Sequence, residues 1–70
     1  MFDKFVVIAT LDPAKNAHGN DIKYFRTRLE AEIQAASYTA DWWKTIEVKE
    51  KIELAVGHTY KTVNCWTKAR

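Results

Sequence analysis

Polar and apolar positions alternate most clearly in "KTIEVKEKIEL", residues 44–54. Ile46, Val48, Ile52 and Leu54 take one side; Glu47, Lys49, Lys51 and Glu53 take the other. A period of two marks a half-buried strand. Glu50 interrupts the apolar series and marks a bulge or the edge of the cover above it. "KFVVIATL", residues 4–11, is β-branched and apolar on both alternations, the pattern of a central strand covered on both sides. "DPAKNAHGND", residues 12–21, gathers Pro13, Asn16, Gly19 and Asn20 and reads as a long polar hairpin loop. "IKYFRT", residues 22–27, is the returning strand. "VGHT" is a turn at Gly57, and "YKTVNCWT", residues 60–67, is a last strand.

Between the second and third strands, "TRLE" fits a capping box: a Thr27 hydroxyl for a free helix N–H, and Glu30 reaching back. A helix is expected from Arg28 to about Trp43, favoured by its alanines. The order is then β-β-α-β-β. A right-handed crossover that skips one position sets the third strand beside the first, antiparallel to it. The expectation is an α+β fold: a four-stranded antiparallel sheet in order 2-1-3-4 with one helix on one face. Residues 1–70 form a single domain.

The helix carries two apolar stripes at ~100° per residue. Leu29, Ile33, Ala36, Ala40 and Trp43 form the expected core stripe. Ala31, Ala35, Tyr38 and Trp42 lie roughly opposite. The adjacent Trp42 and Trp43 cannot both face one thin core, so Trp43 is assigned inward and Trp42 outward. Tyr38 and Trp42 are candidate anchors for a partner or for a second copy in a homodimer, since both residue types are enriched at hot spots. The plainer alternative places Trp42 under a loop at a frayed helix end.

Charge changes this picture modestly. The net charge is +2. Residues 29–43 hold Glu30, Glu32 and Asp41 and no Lys or Arg, whereas residues 44–70 hold Lys44, Lys49, Lys51, Lys61, Lys68 and Arg70 against Glu47, Glu50 and Glu53. The helix side is expected to be acidic and the strand side mildly basic. Lys49 and Lys51 would lie near Tyr60, Thr62 and Asn64 on the sheet face away from the helix. Lysines among aromatics can contact DNA or RNA; a solvated strand face is the plainer reading.

Catalytic chemistry has little support. The only serine, Ser37, falls mid-helix with no histidine at helical spacing. His18 and His58 fall in turns, and Cys65 reads as a small core residue. Their spacing does not resemble a zinc site. The two glycines build no phosphate loop. No enzyme, cofactor or metal is expected. One cysteine allows no internal disulfide, which favours a cytoplasmic protein. The apolar run in "MFDKFVVIATLDP" is too short for a secretion signal, and no stretch approaches a membrane span.

The run "FVVIATL", polar loop, "IKYFRT", alanine-containing helix, "TIEVKEKIEL" and "VNCW" resembles small phage-encoded inhibitors, the type I anti-CRISPR proteins. That resemblance covers nearly the whole chain and implies binding to the Cas proteins of a guide-RNA complex, in competition with nucleic acid. The strand-strand-helix-strand portion also resembles small inhibitors of bacterial RNA polymerase, which implies blocking a DNA path. Neither carries over a site residue. The expected function is a non-catalytic protein that occupies a host protein or nucleoprotein surface through Tyr38 and Trp42 or through Lys49, Lys51 and Tyr60. A small nucleic-acid-binding domain is the alternative.

Overall fold

The structure, a computed structural model, describes residues 3–15 and 18–67. Asn16 of the loop, and Lys68 and Arg70 of the basic strand side, lie outside the described residues. Strands β1 (Phe5–Leu11), β2 (Asn20–Phe25), β3 (Trp43–Glu53) and β4 (His58–Thr67) form one sheet, and among the described residues one α-helix, α1 (Arg28–Ala36), joins β2 to β3, with a 3-10 turn at Pro13–Lys15 in the β1–β2 loop. The sheet order is β2-β1-β3-β4 and all three pairings are antiparallel. The fold is α+β, as the alternation and the crossover rule require. No helix among the described residues is long and apolar enough to cross a membrane.

The helix begins where the capping box places it. Thr27 Oγ1 accepts the Glu30 backbone N–H at 3.2 Å. The reciprocal arm differs: the Glu30 carboxylate accepts from the Thr27 hydroxyl itself, also at 3.2 Å. The helix ends at Ala36, well short of Trp43. Ser37 closes it, its hydroxyl and its N–H both donating to the Gln34 carbonyl, at 2.6 and 3.0 Å. Seven more residues at ~1.5 Å rise would carry the chain ~10 Å onward. It must instead turn back, so that Trp43 can pair with Leu11.

The helix also packs the opposite way round from the expected one. Ala31, Ala35 and Tyr38 are buried, whereas Leu29 is 71% and Ile33 63% exposed. Ala36 is exposed as well. Tyr38 decides this rotation. Its hydroxyl donates to Asp21 Oδ2 at 2.6 Å and accepts from Gln34 Nε2 at 3.0 Å. Asp21 stands opposite Ala9, and both lie on the helix side of the sheet. A buried phenol needs such partners, and satisfying them turns the alanines inward. Small residues then let the helix sit close to Val7, Ala9, Ile46 and Val48, which complete the core. Phe5, Phe25, Trp43 and Val63 pack around its rim.

Two irregularities re-aim side chains. Thr10 pairs with Thr45 but Leu11 pairs with Trp43, so Lys44 is an extra residue in β3. This bulge swings Trp43 to the helix side, where its ring meets Tyr38 edge-on at 4.9 Å. Without it, strict alternation would point Trp43 to the other face. In β4 the extra residue is Val63, skipped between the Val48–Asn64 and Lys49–Thr62 pairs. Glu50 is not at a bulge. It stands opposite Phe5 and forms an ion pair with Lys4 at 3.2 Å, at the last position where β1 supports β3.

Beyond Glu50, among the described residues, one backbone link to the first strand's side remains, Lys51 N–H to the Lys4 carbonyl at 2.7 Å. From there β3 and β4 run on as a two-stranded ribbon. Leu54 and Val56 are exposed at its tip, and Gly57 makes the turn at φ +79°.

Ala31→Leu is expected to destabilise the protein by about 1–3 kcal/mol, because the helix has no room to rise from the sheet. Leu29→Ser is expected to change stability by no more than about 0.5 kcal/mol. Urea unfolding of the two variants at micromolar concentration checks the pair; the reverse ranking would restore the stripe expected from periodicity.

Candidate binding surfaces

The sheet face away from the helix has no second layer among the described residues. Register fixes what it shows. Tyr24, Val6, Lys49 and Thr62 form one row across all four strands. Ile22, Ile8, Glu47 and Cys65 form the next. Lys51 and Tyr60 form a third, on the ribbon. Val6 is only 3% exposed although it stands apart from the helix-side core. Tyr24 and Lys49, its neighbours in the row, flank it, while Ile22, Tyr24 and Tyr60 remain exposed.

Lys49, Lys51 and Tyr60 are therefore brought together as expected. The Lys49 ammonium donates to Thr62 Oγ1 at 3.0 Å. The Tyr60 ring meets His58 edge-on at 5.4 Å. Asn64 does not join them. The extra residue at Val63 turns it to the helix side, opposite Val48, and its Oδ1 accepts the Cys65 backbone N–H at 3.0 Å. The same shift puts Cys65 beside Glu47 and leaves it exposed, in place of the core position expected for it. Tyr24 and Ile22 were not among the expected site residues. The alternation in "IKYF" already separates them from Lys23 and Phe25, but only the pairing with β1 shows which pair looks outward.

The expected helix anchors do not form a patch. Tyr38 is 7% exposed and serves the core, so it has no ring face to offer a partner. Trp42 is 51% exposed but lies in the turn after the helix, away from the stripe assigned to it. Its carbonyl accepts the Asp12 N–H at 2.8 Å, which ties this turn to the end of β1.

Charge segregation is weaker than composition suggests. Asp41 pairs with Lys15 at 3.3 Å, and Glu32 with Arg28 at 2.7 Å, so the helix side carries its own cations. On the open face Lys49 and Lys51 are balanced by Glu47 and Glu53, with Lys51 and Glu53 only 3.8 Å apart. Such a face attracts phosphate weakly.

A groove of about 350 Å³ lies on the helix side between α1 and β4, lined by Ala35, Ala36, Tyr38, Ile46, Trp66 and Thr67. It exists because α1 lies over β1, β2 and β3 and leaves β4 beside it. No group of three or more His, Cys, Asp or Glu among the described residues is placed to hold a metal ion. Comparison with protein-family models, with curated proteins and with solved structures finds no match.

The Tyr38 phenol titrates above its ordinary range. Burial is the main cause, the hydrogen bond to Asp21 and that carboxylate's charge add to it, and the Gln34 amide opposes it. A raised folded value means that the folded protein holds this proton more tightly than the unfolded chain. The resulting stability is complete below the ordinary tyrosine value of ~10 and disappears as pH rises through the raised value. Tyr38→Phe is expected to cost about 0.5–1.5 kcal/mol at pH 7, through the lost hydrogen bonds to Gln34 and to Asp21, which keeps Lys23 at 3.8 Å. The gap between wild type and variant is expected to narrow above pH ~10. Paired urea titrations at neutral and alkaline pH read that gap directly, and a constant gap would contradict it.

Proposed function

We propose that this is a non-catalytic binding protein whose open sheet face docks on a surface of a host protein or nucleoprotein complex, as a small phage-encoded inhibitor would. The observation that carries the reading is Ile22, Tyr24 and Tyr60 standing exposed on one uncovered face, with Val6 and Ile8 between the strands that bear them. Tyrosines offer large, stiff contact area with a polar tip. Exposed apolar surface rimmed by polar residues is a feature of interaction sites. Lys49, Lys51, Glu47 and Glu53 form that rim, and their mixed signs suit a protein surface. The resemblance of the element order to type I anti-CRISPR proteins favours a nucleoprotein target. Action is by occupancy: the bound chain covers what another macromolecule would use.

A small nucleic-acid-binding domain remains the second reading, on the strength of Lys49 set between Tyr24 and Tyr60. The two carboxylates on the same face weigh against it.

Affinity capture from nuclease-treated host lysate, with mass spectrometry, tests both readings. Tyr24→Ser with Tyr60→Ser is expected to weaken capture at least ~10-fold with little change in thermal midpoint. Leu29→Ser is expected to leave capture intact. Bare DNA or RNA is expected to give no mobility shift at 0.15 M salt. Equal capture by wild type and the double variant would reject the open face. A salt-sensitive shift abolished by Lys49→Glu would replace this reading with the nucleic-acid one.

A further inference from the structure

Strand β2 forms one border of the sheet, with β1 as its only strand neighbour among the described residues. Its outer edge is regular. The β1–β2 register runs from Phe5–Phe25 to Thr10–Asn20 without a bulge, and the Leu11 N–H meets the Gly19 carbonyl at 3.0 Å. Hydrogen-bonded and non-bonded pairs alternate along an antiparallel ladder. Counting from that bond, Asp21, Lys23 and Phe25 turn their backbone groups toward β1. Asn20, Ile22 and Tyr24 turn theirs to the free edge, and such a row is a template for another extended strand. The opposite border is interrupted: Val63 bulges from β4, and the Asn64 side chain occupies the Cys65 backbone donor.

The side chains of β2 decide which strand fits. Asp21 and Lys23 share the helix side of the strand, opposite Ala9 and Val7. The Tyr38 hydroxyl holds Asp21 Oδ2 at 2.6 Å, and the Lys23 ammonium stands 3.8 Å from Oδ1. We infer that two copies of this chain pair antiparallel through β2, about a two-fold axis at Ile22, into one continuous sheet. In that register Asn20 of one copy opposes Tyr24 of the second, Ile22 opposes Ile22, and Tyr24 opposes Asn20. Every outward backbone group then meets another, and each pair exchanges two hydrogen bonds. On the helix side Asp21 opposes Lys23 of the second copy, and Lys23 opposes Asp21.

Charge fixes this register. Directly opposed side chains stand ~5 Å apart, whereas diagonal neighbours are ~7–8 Å apart. The unlike charges take the direct positions; Asp21 meets Asp21, and Lys23 meets Lys23, only across the diagonals. A slip by one place sets outward backbone groups against inward ones and loses the ladder. A slip by two places opposes either Asp21 to Asp21 or Lys23 to Lys23. The helices permit the pairing. Helix α1 sits chiefly over β1, so the two helices lie about three strand spacings apart, ~14 Å, beyond the ~8–10 Å of packed helices.

Area sets the strength. A six-residue edge buries far less than the ~800 Å² per partner of a stable interface. The dimer is therefore weak and reversible, with a dissociation constant between about 10 μM and 1 mM. Its two open faces look the same way, so the exposed apolar surface at Ile22 and Tyr24 continues across the seam. The inference stands on the edge alone and does not depend on what that face binds.

Sedimentation equilibrium of the full chain from about 5 μM to 1 mM tests it. The wild type is expected to pass from monomer to dimer. Ile22→Pro removes an outward N–H and no bond to β1, a change that an edge strand tolerates, and is expected to remain monomeric. Lys23→Asp sets carboxylate against carboxylate across the seam. It is expected to associate at least ~10-fold more weakly than wild type, with little change in thermal midpoint. Mild oxidation reads the register. In a Cys65→Ser background, Ile22→Cys is expected to cross-link at least ~10-fold faster than Tyr24→Cys or Tyr60→Cys, because only position 22 meets its own copy within disulfide reach. A wild type that is monomeric at about 1 mM, a dimer unweakened by Ile22→Pro or by Lys23→Asp, or cross-linking as fast from position 24 or 60 as from 22 would each overturn the inference.

Discussion

The phenol of Tyr38 is the fixed point of this molecule. It follows the last turn of the helix, donates to a carboxylate on strand β2, accepts from an amide on the helix, and stacks edge-on against Trp43 at the start of β3. Three elements from separate parts of the chain are thus tied at one ring. A buried hydroxyl left without partners is costly, whereas its net gain when partnered is modest. The group therefore acts mainly as a constraint: it permits one rotation of the helix about its axis and penalises the others.

That constraint accounts for the uneven division of apolar surface. With the alanines turned inward, the sheet supplies most of the buried bulk, through Val7, Val48 and Ile46. Leucine and isoleucine of the helix are left outside, and the second face of the sheet receives no cover from it. The chain consequently has two greasy surfaces on opposite sides of a single thin layer. One is flat, aromatic and charge-balanced; the other is a short ridge with an acid and a base on its flank.

Much of the architecture was legible in the residues. The alternation of residues 44–54, the two-sided apolar run at residues 4–11 and the Thr27–Glu30 cap lead to the observed strand order and helix start. The helix face was not legible, because two apolar stripes share one period and hydropathy favours the one with Leu29 and Ile33. The winning stripe is chosen by Asp21, a partner distant in sequence that no local pattern reveals. The extra residues at Lys44 and Val63 were equally silent. Each moves its strand by one place, which turns Trp43 inward and carries Asn64 away from Lys49. Lys49, Lys51 and Tyr60 were found together because the stretch joining them through the β3–β4 turn contains no such shift.

The ribbon beyond Glu50 gives the chain a gradient of cohesion. An isolated two-stranded hairpin is barely stable in water, so the outer pairs, from Lys51–Tyr60 to Glu53–His58, hold chiefly because the inner ones are already zipped. Opening can start at the tip and travel inward, and it is halted where Phe5 and the Lys4–Glu50 ion pair brace the third strand. Backbone amides along a single continuous strand thus belong to two regimes. Those outside the brace exchange through local fraying, and those inside it exchange only when the whole domain comes apart.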